Sequence, residues 1–327
     1  ENTIRMILLF SYLITLLGIV EYGMGRSPFS YLETIKGVYT GQFVRSGSYR
    51  IMSSCNHSLG YGLMLITMTP FACYDEKKHE VNLLAHPILL FLLAANVFLC
   101  GSRSTLSVFV LEVGIIVLLS SKQQIKKVIL VGIIALIVFA LVVIAIRNTS
   151  IGRYILLQIT SIVDELLGTE LSVQYGANVM ALSSSSHYRD QLKYIFTLDW
   201  LNPLLGIGRK RSFRSEINGS FIASVDNFYI AEYIRYAYPG MIAYIVFIGS
   251  FLVGMVKRMR VDKSGLPRLL FTGALCYMIN LKWVDSLQTL KYLYILFAVF
   301  VCLPPVEKKE REKAEFHSKY LKRGGAR

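Results

Sequence analysis

Residues Val128–Ile146 read VILVGIIALIVFALVVIAI, an apolar run with no charged or hydrogen-bonding side chain. About 20 such residues in a helix cross the hydrocarbon core of a bilayer. Within lipid, a helix satisfies all of its own backbone polar groups, which an irregular segment cannot do. The run therefore reads as a membrane-crossing helix, and the rest of the chain agrees. Of 327 residues, 54% are hydrophobic and only 17% charged, with a mean hydropathy of +0.50. A soluble domain carries about 25% charged residues, and a globule this apolar could not cover its surface with polar groups. Outward from that run, further apolar segments lie at Ile4–Val20, Leu59–Cys73, Leu83–Cys100, Thr105–Ser120, Pro239–Val256, Leu269–Leu281 and Leu290–Leu303. The expected fold is all-α, a polytopic transmembrane helix bundle of about eight helices. The cysteines Cys55, Cys73, Cys100, Cys276 and Cys302 form no CxxC pair, which argues against zinc and iron–sulfur centres. There is no Walker loop, no GxGxxG and no HExxH, so no nucleotide cofactor and no metal are expected.

The formal charge is +14, with a pI of about 9.5. In a soluble chain this would point to nucleic acid. Here the loading of cytoplasmic loops with Lys and Arg explains it better, and no nucleic-acid partner is expected. Ser121–Lys127, Lys257–Arg268 and the basic tail after Pro305 alternate correctly as cytoplasmic, and Tyr74–Asn82 falls on the same side. Glu21–Ser58, the Arg103 turn and the long stretch Arg147–Tyr238 fall on the far side. The chain divides into N-terminal membrane helices (1–146), a long outer loop (147–238), C-terminal membrane helices (239–304) and a cytoplasmic tail (305–327). It opens at Glu1 rather than Met, so further N-terminal sequence is expected. Glu21 and Tyr22 are poor flanks for signal-peptide cleavage, and no A-x-A-like site follows the first helix.

The long outer stretch is the anomaly, because unstructured loops beyond about 12–15 residues are uncommon and usually functional. Ile155, Ile159, Ile162 and Leu166 recur at helical spacing, so Ile151–Gly168 reads as an amphipathic helix. A second helix is expected over Tyr188–Leu198, with Leu192 and Ile195 on one side. Gly206, Gly208 and Gly219 mark turns.

The outer side holds many arginines, of which Arg103 is the most informative. It sits between two long apolar helices, where a charge marks a functional site or, equally often, snorkels to head groups. On a helix, Arg189 and Lys193 share a face and could hold a phosphate, with a solvated face as the plain alternative. Asp226, before the sixth helix, reads either as an N-cap or as a general base toward a sugar hydroxyl. His57 follows Asn56 at the mouth of the second helix and reads as a bystander.

Three blocks resemble the O-antigen polymerase and O-antigen ligase superfamily of bacterial membrane glycosyltransferases. They are Tyr49-Arg50 through Asn56-His57 leading into a helix, the turn Gly101-Ser102-Arg103-Ser104-Thr105, and Arg189 through Asn202-Pro203-Leu204-Leu205-Gly206-Ile207-Gly208 to Asp226-Asn227-Phe228-Tyr229 and Tyr238-Pro239-Gly240. The resemblance implies a C-type membrane glycosyltransferase of the bacterial inner membrane, its active site facing the periplasm. The donor would be an oligosaccharide on undecaprenyl pyrophosphate, used without a cofactor. Arg103 and Arg189 would grip the pyrophosphate, with Asp226 as the third catalytic residue. Arg50, Lys193, Asn227, Tyr229 and Arg211 complete the expected site as substrate-binding residues. Asp226 stands where ligases carry His, which favours a polymerase that joins lipid-linked repeat units. A ligase is the runner-up and a lipid-linked-sugar flippase the contrasting class. Expected partners are the lipid-linked donor and acceptor, membrane lipid, a chain-length regulator and a flippase.

Overall fold

The computed structural model describes residues 2–34, 44–45, 48–176, 191–209, 213, 215–217, 220–222, 225–284 and 290–304. Among them the chain is an all-α membrane protein. Its helices are α1 (Asn2–Met24), α2 (Ser58–Ala72), α3 (Pro87–Leu99), α4 (Arg103–Leu119), α5 (Lys122–Ile146), α6 (Ser150–Leu167), α7 (Phe228–Val261), α8 (Gly265–Asn280) and α9 (Leu293–Val301). All eight expected apolar segments are helical. Among the described residues α1, α5 and α7 are long and apolar enough to cross a membrane, at 23, 25 and 34 residues. Among the described residues strands are confined to three short antiparallel hairpins: β1–β2 (Val44–Arg45, Ser48–Tyr49), β3–β4 (Tyr74–Asp75, Glu80–Val81) and β5–β6 (Ser215–Ile217, Ser220–Ile222).

The bundle is centred on α2, which is apolar all round and buried along almost its whole length. Around it pack α1, α3, α4, α8 and α9, with α7 against α8. The core joins Tyr61, Leu65 and Phe71 of α2 to Leu93 of α3, Ile116 of α4, Tyr277 of α8 and Leu296 of α9. By contrast α5 buries only Val143. An apolar helix with no polar stripe has no face to prefer, and lipid tails solvate it as well as a protein core would.

The structure has two ends. At one, Arg5 pairs with Glu76, Gln124 donates to Glu80 at 2.7 Å, and the Gly265 N–H donates to the His79 carbonyl at 2.8 Å. These contacts gather the start of α1, the β3–β4 hairpin, the α4–α5 turn and the start of α8. The other end collects residues 49–57, the α3–α4 turn and the N-terminus of α7. Among the described residues, the β3–β4 hairpin, the α4–α5 turn and the start of α8, which charge assigned to one side of the membrane, thus lie together and apart from the Arg103 turn assigned to the other.

The sixth apolar segment, expected from Pro239, follows a break at Ala237 within α7, and a helical stretch from Phe228 that the sequence reading did not include precedes it. Glu232 and Arg235 lower the hydropathy of these first turns, yet Asn227 caps them, accepting the Ile230 N–H at 3.2 Å. Residues 192–197, expected as α-helix, form a 3₁₀ turn that buries Leu192 and Ile195. The amphipathic helix of the long loop is α6, closed by Gly168 in the left-handed conformation.

Helix α7 is broken at Ala237, whose backbone lies at φ 54°, ψ −161°. Pro239 has no N–H for the Arg235 carbonyl, and its ring excludes the regular helix there. The loop 202–208 supplies the missing partners. Ile207 N–H donates to the Ile234 carbonyl and Gly208 N–H to the Arg235 carbonyl, both at 2.9 Å, while Tyr238 N–H donates to the Pro203 carbonyl at 3.1 Å. Gly206 has φ +61°, and a Cβ on it would lie 2.7 Å from the Arg235 carbonyl group. The Asn-Pro-Leu-Leu-Gly-Ile-Gly stretch is therefore a clamp on a broken helix. Its flanks form a second small core of Leu192, Ile195, Leu201, Ile217 and Ile222 on Tyr233 and Ile234. Gly206→Ala is expected to destabilise by more than about 1 kcal/mol, and Ala237→Gly to stabilise by up to about 1 kcal/mol. Thermal unfolding of the purified protein reads both.

Candidate active site

Residue 50 follows the β1–β2 hairpin and lies over the turn between α3 and α4. Arg50 is 9% exposed. Its Nε donates to the Cys100 carbonyl at 2.9 Å, and Ile51 N–H donates to the Leu99 carbonyl at 3.3 Å. The turn passes closely beneath it. Gly101 has φ +62°, and a Cβ there would sit 2.7 Å from the Tyr154 hydroxyl and 3.1 Å from Arg50 Cγ. Tyr154 comes from α6 and stands edge-on to Phe98, with ring centroids 6.1 Å apart. Burial pushes the Arg50 pKa below the usual arginine value, against smaller opposing effects of Cys100 and Tyr154. Its Nη2 is buried and has no hydrogen-bond partner among the described residues. A buried charged donor left unsatisfied costs more than about 1–3 kcal/mol, so this geometry is suited to receiving an anion.

Arg103 opens α4 on the far side of the same turn and is half-buried. Ser102 caps that helix, accepting from Thr105 N–H at 3.3 Å and from its hydroxyl at 2.9 Å. The helix start adds partial positive charge at this turn.

Asp226 and His57 complete the cluster. Asn227, not Asp226, is the N-cap of α7, so the capping reading of Asp226 is excluded. His57 is the N-cap of α2, and its Nδ1 accepts the Leu59 N–H at 3.1 Å. The neutral ring therefore carries its proton on Nε2. Burial first, then the positive charge of Arg50, push the His57 pKa down, while Asp226 opposes them. His57, read in sequence as a bystander, thus lies within electrostatic reach of Arg50 and Asp226. The folded chain binds fewer protons at His57 than the unfolded chain as pH falls through about 6.5. The residue therefore weakens the fold on the acid side. His57→Asn keeps a capping side chain and is expected to flatten the fall in Tm between pH 7 and pH 5.

The other expected residues fall elsewhere. Lys193 is exposed, its Nζ 5.3 Å from the centre of the Tyr194 ring. It lies in a 3₁₀ turn. Arg189 and Arg211 lie outside the described residues. The Tyr229 hydroxyl donates to the Met278 carbonyl at 2.9 Å, packing α7 on α8. Other arginines of this end have local work: Arg26 Nε donates to Ser30 at 2.7 Å, and Arg235 pairs with Glu232 at 2.7 Å.

Fold and site together define a membrane protein with a buried cationic site at one end of an all-α bundle. Residues 88–245 match the family model described as O-antigen ligase. Over that stretch, just under half of the chain, the sequence is similar to the O-antigen ligase and polymerase superfamily. The match contains the Arg103 turn, Asp226 and the break at Ala237; Arg50 and His57 precede it. The family supports an O-antigen ligase or polymerase type of function, with lipid-linked oligosaccharide substrates in the membrane. No curated protein and no solved structure matches the chain.

Proposed function

We propose that the protein is a polysaccharide polymerase that transfers a lipid-pyrophosphate-linked oligosaccharide to a hydroxyl of the next lipid-linked repeat unit. The reaction takes place on the outer face of the bacterial inner membrane. The observation that carries this reading is the buried Nη2 of Arg50, without a partner among the described residues, over the turn that bears Arg103. The acceptor oxygen attacks the anomeric carbon, and its proton passes to the Asp226 carboxylate. The bond from the anomeric carbon to the pyrophosphate oxygen breaks, and the electron pair leaves on that oxygen. Arg50, held in place by its bond to the Cys100 carbonyl, stabilises the growing charge together with Arg103 and Arg189, because a charge positioned before the reaction begins costs no reorganisation. A guanidinium suits this role through its planar fork and permanent charge.

Asp226 in place of the ligase histidine favours the polymerase. The description of the matched family favours the second reading, a ligase that passes polymer to a lipid or protein acceptor. A gel of surface polysaccharide from a strain lacking the gene separates the two. Loss of long polymer with single repeat units still at the surface supports the polymerase. Long polymer that persists on its lipid carrier, unattached to its acceptor, establishes the ligase instead.

A further inference from the structure

Glu21 lies near the end of α1 and is 0% exposed. A carboxylate in an apolar helix is retained only with partners or a function. Its partners here all come from one short segment. Tyr49 Oη donates to Oε1 at 2.7 Å, Met52 N–H to Oε1 at 3.1 Å and Ser53 N–H to Oε2 at 2.5 Å. Both oxygens are thus held by donors on either side of Arg50. After Tyr49, which ends β2, the segment is not regular secondary structure, and Ser53 has φ 48°, a left-handed conformation that needs support from its surroundings. Further bonds tie it down: Ser53 Oγ donates to the Ile14 carbonyl at 3.2 Å, and Ser27 Oγ donates to the Ser53 carbonyl at 3.4 Å. On its other side the segment is bonded to the α3–α4 turn through Arg50 and Ile51.

We infer that Glu21 is a positioning residue for the anion site: it fixes the backbone on both sides of Arg50 and so sets the guanidinium against the turn that carries Arg103. This rests on the reading of Arg50 as an anion ligand. Glu21 itself touches no substrate. Its effect reaches the reaction only through Arg50, because Tyr49, Met52 and Ser53 are what it holds. A site of this kind needs its ligands placed to within about 0.5 Å, and the chain around Arg50 has no helix to supply that precision.

A double-mutant cycle tests the inference. The full-length protein is placed in nanodiscs, and binding of farnesyl pyrophosphate is measured for wild type, Glu21→Gln, Arg50→Met and the double variant. Glu21→Gln is expected to weaken binding about tenfold in the wild-type background and to have no further effect in the Arg50→Met background. Tyr49→Phe removes one donor and leaves the carboxylate in place, which guards against a misfolded Glu21 variant. It is expected to weaken binding about threefold, again only when Arg50 is present. A purely structural carboxylate would lower Tm and yield while leaving affinity per folded molecule unchanged, and that result overturns the inference. So do effects of Glu21→Gln and Arg50→Met that multiply in the double variant. If Arg50→Met alone leaves binding unchanged, the anion-site reading itself fails and the inference falls with it.

Discussion

Arg50→Met is expected to lower turnover by about a hundredfold or more without loss of the folded protein. Methionine keeps most of the apolar stem that Arg50 packs against Gly101. It removes a charge that has no carboxylate within salt-bridge distance among the described residues, so the empty protein loses only the bond to Cys100. A stable, inactive variant separates a functional arginine from a structural one, because a buried arginine paired for stability would unfold the protein when removed. Polymer length in cells, normalised to folded protein, is the measurement. Activity within threefold of wild type would refute the pyrophosphate role. Arg103 is tested the same way. Arg103→Lys keeps the charge but loses the two-pronged geometry, and is expected to lose at least about tenfold.

Asp226→Asn is expected to be the second large loss, about 10²–10⁴-fold if its carboxylate accepts the acceptor's proton. Asparagine caps a helix as well as aspartate, and the cap is in any case Asn227, so the substitution removes the carboxylate alone. Asn227→Ala is the companion variant, expected to cost about 1 kcal/mol of stability through the lost bond to Ile230. If Asp226→Asn retains full turnover, Asp226 has no part in the chemistry, and the case for a polymerase loses its main residue.

The bundle was legible because hydropathy reports burial in lipid directly, and all eight apolar segments are helical. The first turns of α7 were hidden because Glu232 and Arg235 interrupt the apolar pattern while Asn227 and the loop 202–208 hold the helix from outside it. The site was legible in part. Arg103 stands out as a lone charge between two apolar runs. Arg50 does not, because what marks it is burial over a turn distant in sequence. Nor could spacing show that His57 and Asp226 converge, since each is placed by the cap of a different helix. Glu21 carried a visible signal, a carboxylate at the end of an apolar run, which the sequence reading used only as evidence against cleavage.

The break at Ala237 also bears on how the protein sits in bilayers of different thickness. Unbroken, the 34 residues of α7 would extend about 51 Å at 1.5 Å per residue, well beyond a hydrocarbon core of about 30 Å. Such a rod answers a change in thickness by tilting as a whole, and its N-terminus would swing Asp226 away from Arg50. With the break in place, the part 238–261 could tilt about Ala237 while Ile234 and Arg235 stay bonded to the loop 202–208. A change in bilayer thickness would then be taken up at one residue, leaving the candidate site where the loop holds it.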